Sequence, residues 1–173
     1  MALNSIVISD STTLISLLNI ERLELLFKFS DTIIITPSVY SEVTIHKSSK
    51  RILDEYITLS KVIISEVKNI KKVKELLIRL DLGESESIVL AEEQKLPLII
   101  DEKKGKKIAL SFGLDAIGLV GILLVYKKRG YLSSDEIIEI VKELREVSFR
   151  VSDKLLELLL NLHPCRSIST FMI

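Results

Sequence analysis

Short β-branched runs alternate with helical patterns from one end of the chain to the other, and no feature restricts the fold more than this alternation. Five runs read as strands, at 5–9, 32–36, 62–65, 97–100 and 115–118. Ile33-Ile34-Ile35 and Leu98-Ile99-Ile100 are apolar at every position, whereas a strand with one wet face alternates. Helices must therefore cover both faces. The expected fold is an α/β three-layer sandwich, with a central, mostly parallel sheet of four to five strands flanked by helices, and with extra C-terminal helices.

At 173 residues the chain suits one domain, 1–173, large enough to hide about 70% of its unfolded surface. Several helix starts are legible. Pro37 fits a first turn, so Thr36-Pro37-Ser38 marks a strand ending and a helix beginning. Gly83 marks a similar boundary before a helix over 84–94. Ser134-Asp135-Glu136 opens a helix with Ile137, Ile140, Val141 and Leu144 on one stripe. A last helix, 153–161, is too leucine-rich to lie free in water and should pack on the domain or on a second copy. These helices form a C-terminal extension, 134–162.

Composition removes several function classes. Lys plus Arg and Asp plus Glu each number 24, so the net charge is zero and no polybasic coat is available for nucleic acid. The one cysteine, Cys165, forms no internal disulfide, and the first ten residues lack a secretory leader. A cytoplasmic protein is expected. The longest apolar stretch, 116–126, is about half of the ~20 residues a membrane helix needs, so no membrane association is expected.

In open parallel sheets, working groups collect beyond the carboxyl ends of the strands. Asp10 follows Ser5-Ile6-Val7-Ile8-Ser9, and Asp101 follows Leu98-Ile99-Ile100. Each taken singly reads equally as a helix N-cap. Glu42 falls on the stripe of Ser38 and Val39, and Glu84 on that of Ile88 and Ala91. Singly, each glutamate reads as a first-turn acid favoured by the helix dipole. Together the four carboxylates would repel one another without a cation. Hard oxygen donors of this kind suit Mg²⁺ or Mn²⁺, which assist phosphodiester hydrolysis.

Other chemistries fail on inventory. His46 and His163 have no placed nucleophile with an orienting third group. Gly105-Lys106-Lys107 resembles the end of a phosphate loop, but the required first glycine is Ile100 and Lys107 stands where Ser or Thr belongs. His163 and Cys165 are too few for a zinc site. Lys103, Lys104, Lys106 and Lys107, and a second cluster of Lys127, Lys128 and Arg129, read either as RNA-backbone contacts or as solvated helix faces.

The acidic positions sit in motifs that resemble those of PIN domains. Ser9-Asp10-Ser11-Thr12-Thr13-Leu14-Ile15 looks like the family's opening, and Pro37-Ser38-Val39-Tyr40-Ser41-Glu42-Val43 like its second acidic motif. Leu82-Gly83-Glu84-Ser85-Glu86-Ser87-Ile88 and the stretch from Leu98 through Asp101 to Ala109 are similar to the third and fourth. Gly118-Leu119-Val120-Gly121-Ile122-Leu123-Leu124 and the 148–160 ending look like a prokaryotic branch related to VapC toxins. The likeness covers almost the whole chain.

The resemblance implies a metal-dependent ribonuclease, with Asp10, Glu42, Glu84 and Asp101 as metal-binding and catalytic acids and Mg²⁺ or Mn²⁺ as cofactor. It implies that the Thr12 hydroxyl orients Asp10 or a water. It further implies single-stranded RNA as substrate and an antitoxin protein as partner, while the apolar last helix suggests a homodimer. Two positions depart from the family pattern: the third acid is Glu rather than Asp, and Lys103 or Lys104 replaces a further aspartate. Glu86 and Glu102 are reserve acids, and Asp115 is expected to begin a strand. The alternative is a catalytically degenerate binding module acting through a protein partner or self-association. Phosphoryl transfer through Asp10, as in haloacid-dehalogenase-like phosphatases, is disfavoured because Thr12 stands where that chemistry places a second Asp.

Overall fold

The computed structural model describes residues 5–161. Leu162, His163 and Cys165 lie outside them. The chain divides after Leu119 into two compact units.

The first unit is built on five parallel strands, β1 (Ile6–Ser9), β2 (Thr32–Ile35), β3 (Val62–Ile64), β4 (Leu98–Ile99) and β5 (Ala116–Ile117), in the order β3-β2-β1-β4-β5. All five expected strands are present, each trimmed by one or two residues at its ends. Residues just outside them still extend the ladder, as where the Asp10 N–H donates to the Ile99 carbonyl at 3.0 Å.

Helices α1 (Ser11–Asn19), α2 (Glu24–Phe29), α3 (Pro37–Val43), α4 (Lys47–Thr58), α5 (Ile70–Leu76), α6 (Leu82–Gln94) and α7 (Lys103–Ser111) fill the connections. Register pairs Ile8 with both Ile34 and Leu98. Ile8, Ile34, Leu98 and Ile100 pack with Val73, Leu76, Ile88 and Ala109 of α5, α6 and α7 in one core cluster. Val7, Ile33, Ile35 and Ile99 are equally buried. The uninterrupted apolar runs thus belong to strands without a wet face.

The boundary expected at Gly83 moves. α6 starts at Leu82 because the Asp81 side chain caps it, accepting the Glu84 N–H at 2.8 Å. Gly83 lies inside the first turn.

In the second unit, the rest of α8 (Leu119–Lys128) is followed by α9 (Ser134–Glu146) and α10 (Asp153–Asn161). Ser133 caps α9, with the Glu136 side chain returning to the Ser133 N–H. The expected stripe of Ile137, Ile140, Val141 and Leu144 is buried. α10 packs on α9, burying Leu159 and leaving Leu158 exposed. No helix among the described residues is long and apolar enough to cross a membrane.

Candidate functional site

The strand order reverses between β1 and β4. From β1 the chain builds outward through β2 and β3, then crosses back to lay β4 and β5 on the other side. Ligand sites of open α/β sheets form at such a reversal, beyond the carboxyl ends of the strands. Asp10 and Asp101 leave the sheet there.

The two aspartates share a set of donors. Asp10 caps α1, its Oδ1 accepting the Thr13 N–H at 3.3 Å, while its Oδ2 accepts the Asp101 N–H at 3.3 Å. Asp101 Oδ1 accepts the Leu119 N–H at 2.9 Å, and its Oδ2 accepts the Thr13 hydroxyl. Thr13 therefore holds one acid with its backbone and the other with its side chain. Asp101 does not cap the helix that follows it, since α7 is capped by Glu102.

The glutamates come from two helices. Glu42 reaches from α3 to the first turn of α6, where a Cβ on Gly83 would lie 3.0 Å from its Oε1. Glu84 is buried in the same turn, and its Oε1 would be 3.5 Å from a Cβ on Gly105 of α7. A Cβ on Gly118 would come within 2.5 Å of Asp101 Oδ1. The Glu42 and Asp101 carboxylates thus occupy space that a side chain at a neighbouring glycine would take, whereas at Gly105 the obstacle is Ile100 Cδ1, 2.6 Å from such a Cβ, with Glu84 at ordinary contact distance.

Electrostatics register the crowding. Burial, reinforced by the Asp101 charge, pushes the Asp10 carboxyl up to about 7. Burial and the Asp81 charge push Glu84 up to about 7, with Glu102 and Glu42 adding to the effect. Burial raises Asp101 as well, against the Thr13 and Leu119 donors and the Lys106 charge.

Some expectations change. Thr12 is exposed, and the hydroxyl that meets the acids belongs to Thr13, the third residue of α1 and hence on the side of its cap. Glu86 accepts the Ser38 hydroxyl and so ties α6 to α3. Asp115, expected to begin the last strand, instead directly precedes β5. On α7, Lys103, Lys104 and Lys107 are exposed and Lys106 is half-buried. The second basic cluster is not one surface: Lys127 is buried and its Nζ donates to Ser134 Oγ at 2.6 Å. Asp81, the strongest like-charge neighbour of Glu84, is absent from the sequence reading, and the signal that points to it is an acid three residues before a glutamate at a helix start.

Among the described residues, no three His, Cys, Asp or Glu side chains converge as a ready metal cage. The donors nonetheless fit a hard divalent cation in kind, being all oxygen, with Asp10, Glu84 and Asp101 desolvated and like charges set against one another.

A family model described as "DUF3368: PIN domain" matches residues 6–164. The chain belongs to the PIN-domain family. No curated protein matches it. Among solved structures, a PilT N-terminus domain protein from the hyperthermophilic archaeon Sulfolobus solfataricus P2 is 21% identical, with 94% of this chain and 98% of that one covered at a TM-score of 0.41.

Two predictions test the acid pair of this PIN domain. Replacing Thr13 with Val deletes the donor to Asp101 at constant volume and should cost about 1–3 kcal/mol at pH 8, read as a lower urea midpoint, with Thr13→Ser close to wild type. The second concerns pH. Because Asp10 titrates near 7 when folded and near 3.8 when unfolded, the folded state binds the extra proton between those values. Stability of the metal-free protein is therefore greatest at the acid end of this window and is lost as pH rises through about 7, each pKa unit being worth about 1.4 kcal/mol. Melting curves should fall from pH 5 to pH 8 in the wild type, and Asp10→Asn should flatten that slope and raise Tm at pH 8.

Proposed function

We propose that this PIN domain is a Mg²⁺- or Mn²⁺-dependent endoribonuclease that hydrolyses phosphodiester bonds of single-stranded RNA, with Asp10, Glu42, Glu84 and Asp101 as its metal-binding acids. One observation carries the reading: at the strand reversal, buried carboxylates are set beside one another without enough positive charge to compensate them. A structural role would have been served by neutral side chains at lower cost. A divalent cation held by these acids supplies Lewis acidity and a nucleophilic water for attack on phosphorus.

The chain's own groups prepare that chemistry. Thr13 and Leu119 fix the Asp101 carboxylate, and the Thr13 and Asp101 amides fix that of Asp10. Lys106, whose charge acts on Asp101, and the exposed Lys103, Lys104 and Lys107 lie along α7 and would hold backbone phosphates. The likeness to VapC-related proteins extends the proposal to a cytoplasmic toxin restrained by an antitoxin protein.

A second reading, a catalytically silent binding module, is favoured by the absence of a ready cage among the described residues. One set of assays separates the two. With Mn²⁺, the wild type should cut single-stranded RNA, and Asp10→Asn and Asp101→Asn should each lose about 100-fold or more, the scale of a lost transition-state contact. Replacing Lys104 and Lys107 with Ala should raise KM and flatten the salt dependence by about one unit of slope per phosphate contact. Metal at 100 times its Kd should stabilise the fold by about 2.7 kcal/mol. Cutting that survives both aspartate substitutions would sink the nuclease; a thermal shift without cutting would leave the binding module.

A further inference from the structure

Glu86 stands two residues from Glu84 on α6, yet the four-acid site leaves it unused. Side chains two apart on a helix point to different faces. Glu84 turns towards Gly105 of α7, and the like charges acting on it are those of Asp81, Glu102 and Glu42. Glu86 turns towards α3, where its Oε2 accepts the Ser38 hydroxyl and, at 3.4 Å, the Ser38 N–H. Ser38 is itself held from behind. Its hydroxyl hydrogen goes to Glu86, so its oxygen accepts from the Thr36 hydroxyl at 3.0 Å, and Thr36 Oγ1 in turn accepts the Val39 N–H at 3.3 Å as the cap of α3. Thr36 is fully buried directly after β2. A relay of hydroxyls thus runs from the end of β2 to a carboxylate on α6. Hydrogen bonds that end on a charge are the strong ones, and each bond in such a chain polarises the next.

Glu42 lies on the same seam. Ser38 and Glu42 are one turn apart on α3, and Gly83 and Glu86 are one turn apart on α6, so each pair shares a face. Ser38 meets Glu86, and both Glu42 oxygens approach Gly83, 3.0 and 3.1 Å from where its Cβ would lie. The two helices therefore run antiparallel along this seam, with a hydrogen-bonded end and an end at which a carboxylate lies against backbone. Whereas Asp10 and Asp101 are held by donors of their own, no donor among the described residues holds the Glu42 carboxylate. Its place follows from the packing of α3 on α6, which the bond between Ser38 and Glu86 fixes one turn away.

We propose that Glu86 is a positioning residue: acting through Ser38, it holds α3 where the Glu42 carboxylate is presented to the site, and it does not itself hold the metal. The inference rests on the reading of Glu42 as a metal-binding acid. It gives the two neighbouring glutamates of α6 separate tasks, Glu84 as a donor to the cation and Glu86 as the anchor of the helix that carries another donor.

The first readout needs no metal. In the full chain, Glu42→Gln should shift the Gly83 amide resonance, because the carboxylate lies against that residue, and in the Glu86→Ala background the same substitution should leave the resonance in place. Calorimetric titration with Mn²⁺ supplies the second. Glu86→Ala should weaken binding by about 10–100-fold, the scale for a residue that orients a metal ligand. Glu86→Gln, whose carbonyl still accepts from Ser38, should restore most of that loss. In the Glu42→Gln background, Glu86→Ala should weaken binding no further, since it acts through Glu42. Where Glu86→Ala fails to fold by circular dichroism, Ser38→Ala breaks the same tie from α3 and should have the same two effects. A Gly83 response that survives the broken tie, losses that add, or Glu86→Gln as weak as Glu86→Ala would each overturn the proposal, the last by making Glu86 a ligand. A wild type that neither binds Mn²⁺ nor cuts RNA would instead remove the nuclease reading, with the Gly83 resonance still deciding the role of Glu86.

Discussion

Two carboxylates are held together at the place where the sheet reverses its order, and the surroundings of the site follow from that enforced proximity. Asp10 lies one residue beyond β1 and Asp101 two beyond β4, so parallel pairing of the strands carries both acids to one edge. Their repulsion is offset by a small number of donors. Thr13 serves both acids, and the first amide of α8 serves Asp101. The balance stays incomplete, as the raised affinity of Asp10 for protons records.

Space is rationed as closely as charge. Gly83 and Gly118 stand where the Glu42 and Asp101 carboxylates come against backbone. Gly118 is the tighter of the two, because a Cβ there would claim the position of the oxygen that accepts from Leu119. At Gly83 the neighbour is the end of a longer, half-buried side chain, which has more freedom to give way.

Much of this was legible in the sequence. Continuous apolar runs such as Ile33-Ile34-Ile35 announce strands covered on both faces, and all five strands lie where such runs end in Ser, Thr, Asp or Gly. The aspartates were legible for the same reason, because position after a strand is a matter of local order. What escaped depends on helix caps and on three-dimensional approach. Thr13 looks no different from Thr12 until the N-cap at Asp10 fixes which hydroxyl faces the acids. Lys127 belongs to a basic triplet in sequence, yet the helix turns it inward to Ser134 while Lys128 and Arg129 stay outside. Gly83 reads as a boundary in the sequence, whereas the cap is Asp81, two residues earlier.

The donors around the acid pair have a further consequence. Three backbone amides, those of Thr13, Asp101 and Leu119, each end on one oxygen of this pair. An amide whose acceptor gains or loses charge shifts its nitrogen and proton resonances. The protein thus carries three native spectroscopic probes around two ionisable groups. That of Thr13 would follow Asp10 and that of Leu119 would follow Asp101, while the Asp101 amide, which donates to Asp10 and belongs to the other acid, would answer to both. Charge on each acid becomes separately readable in solution without a label.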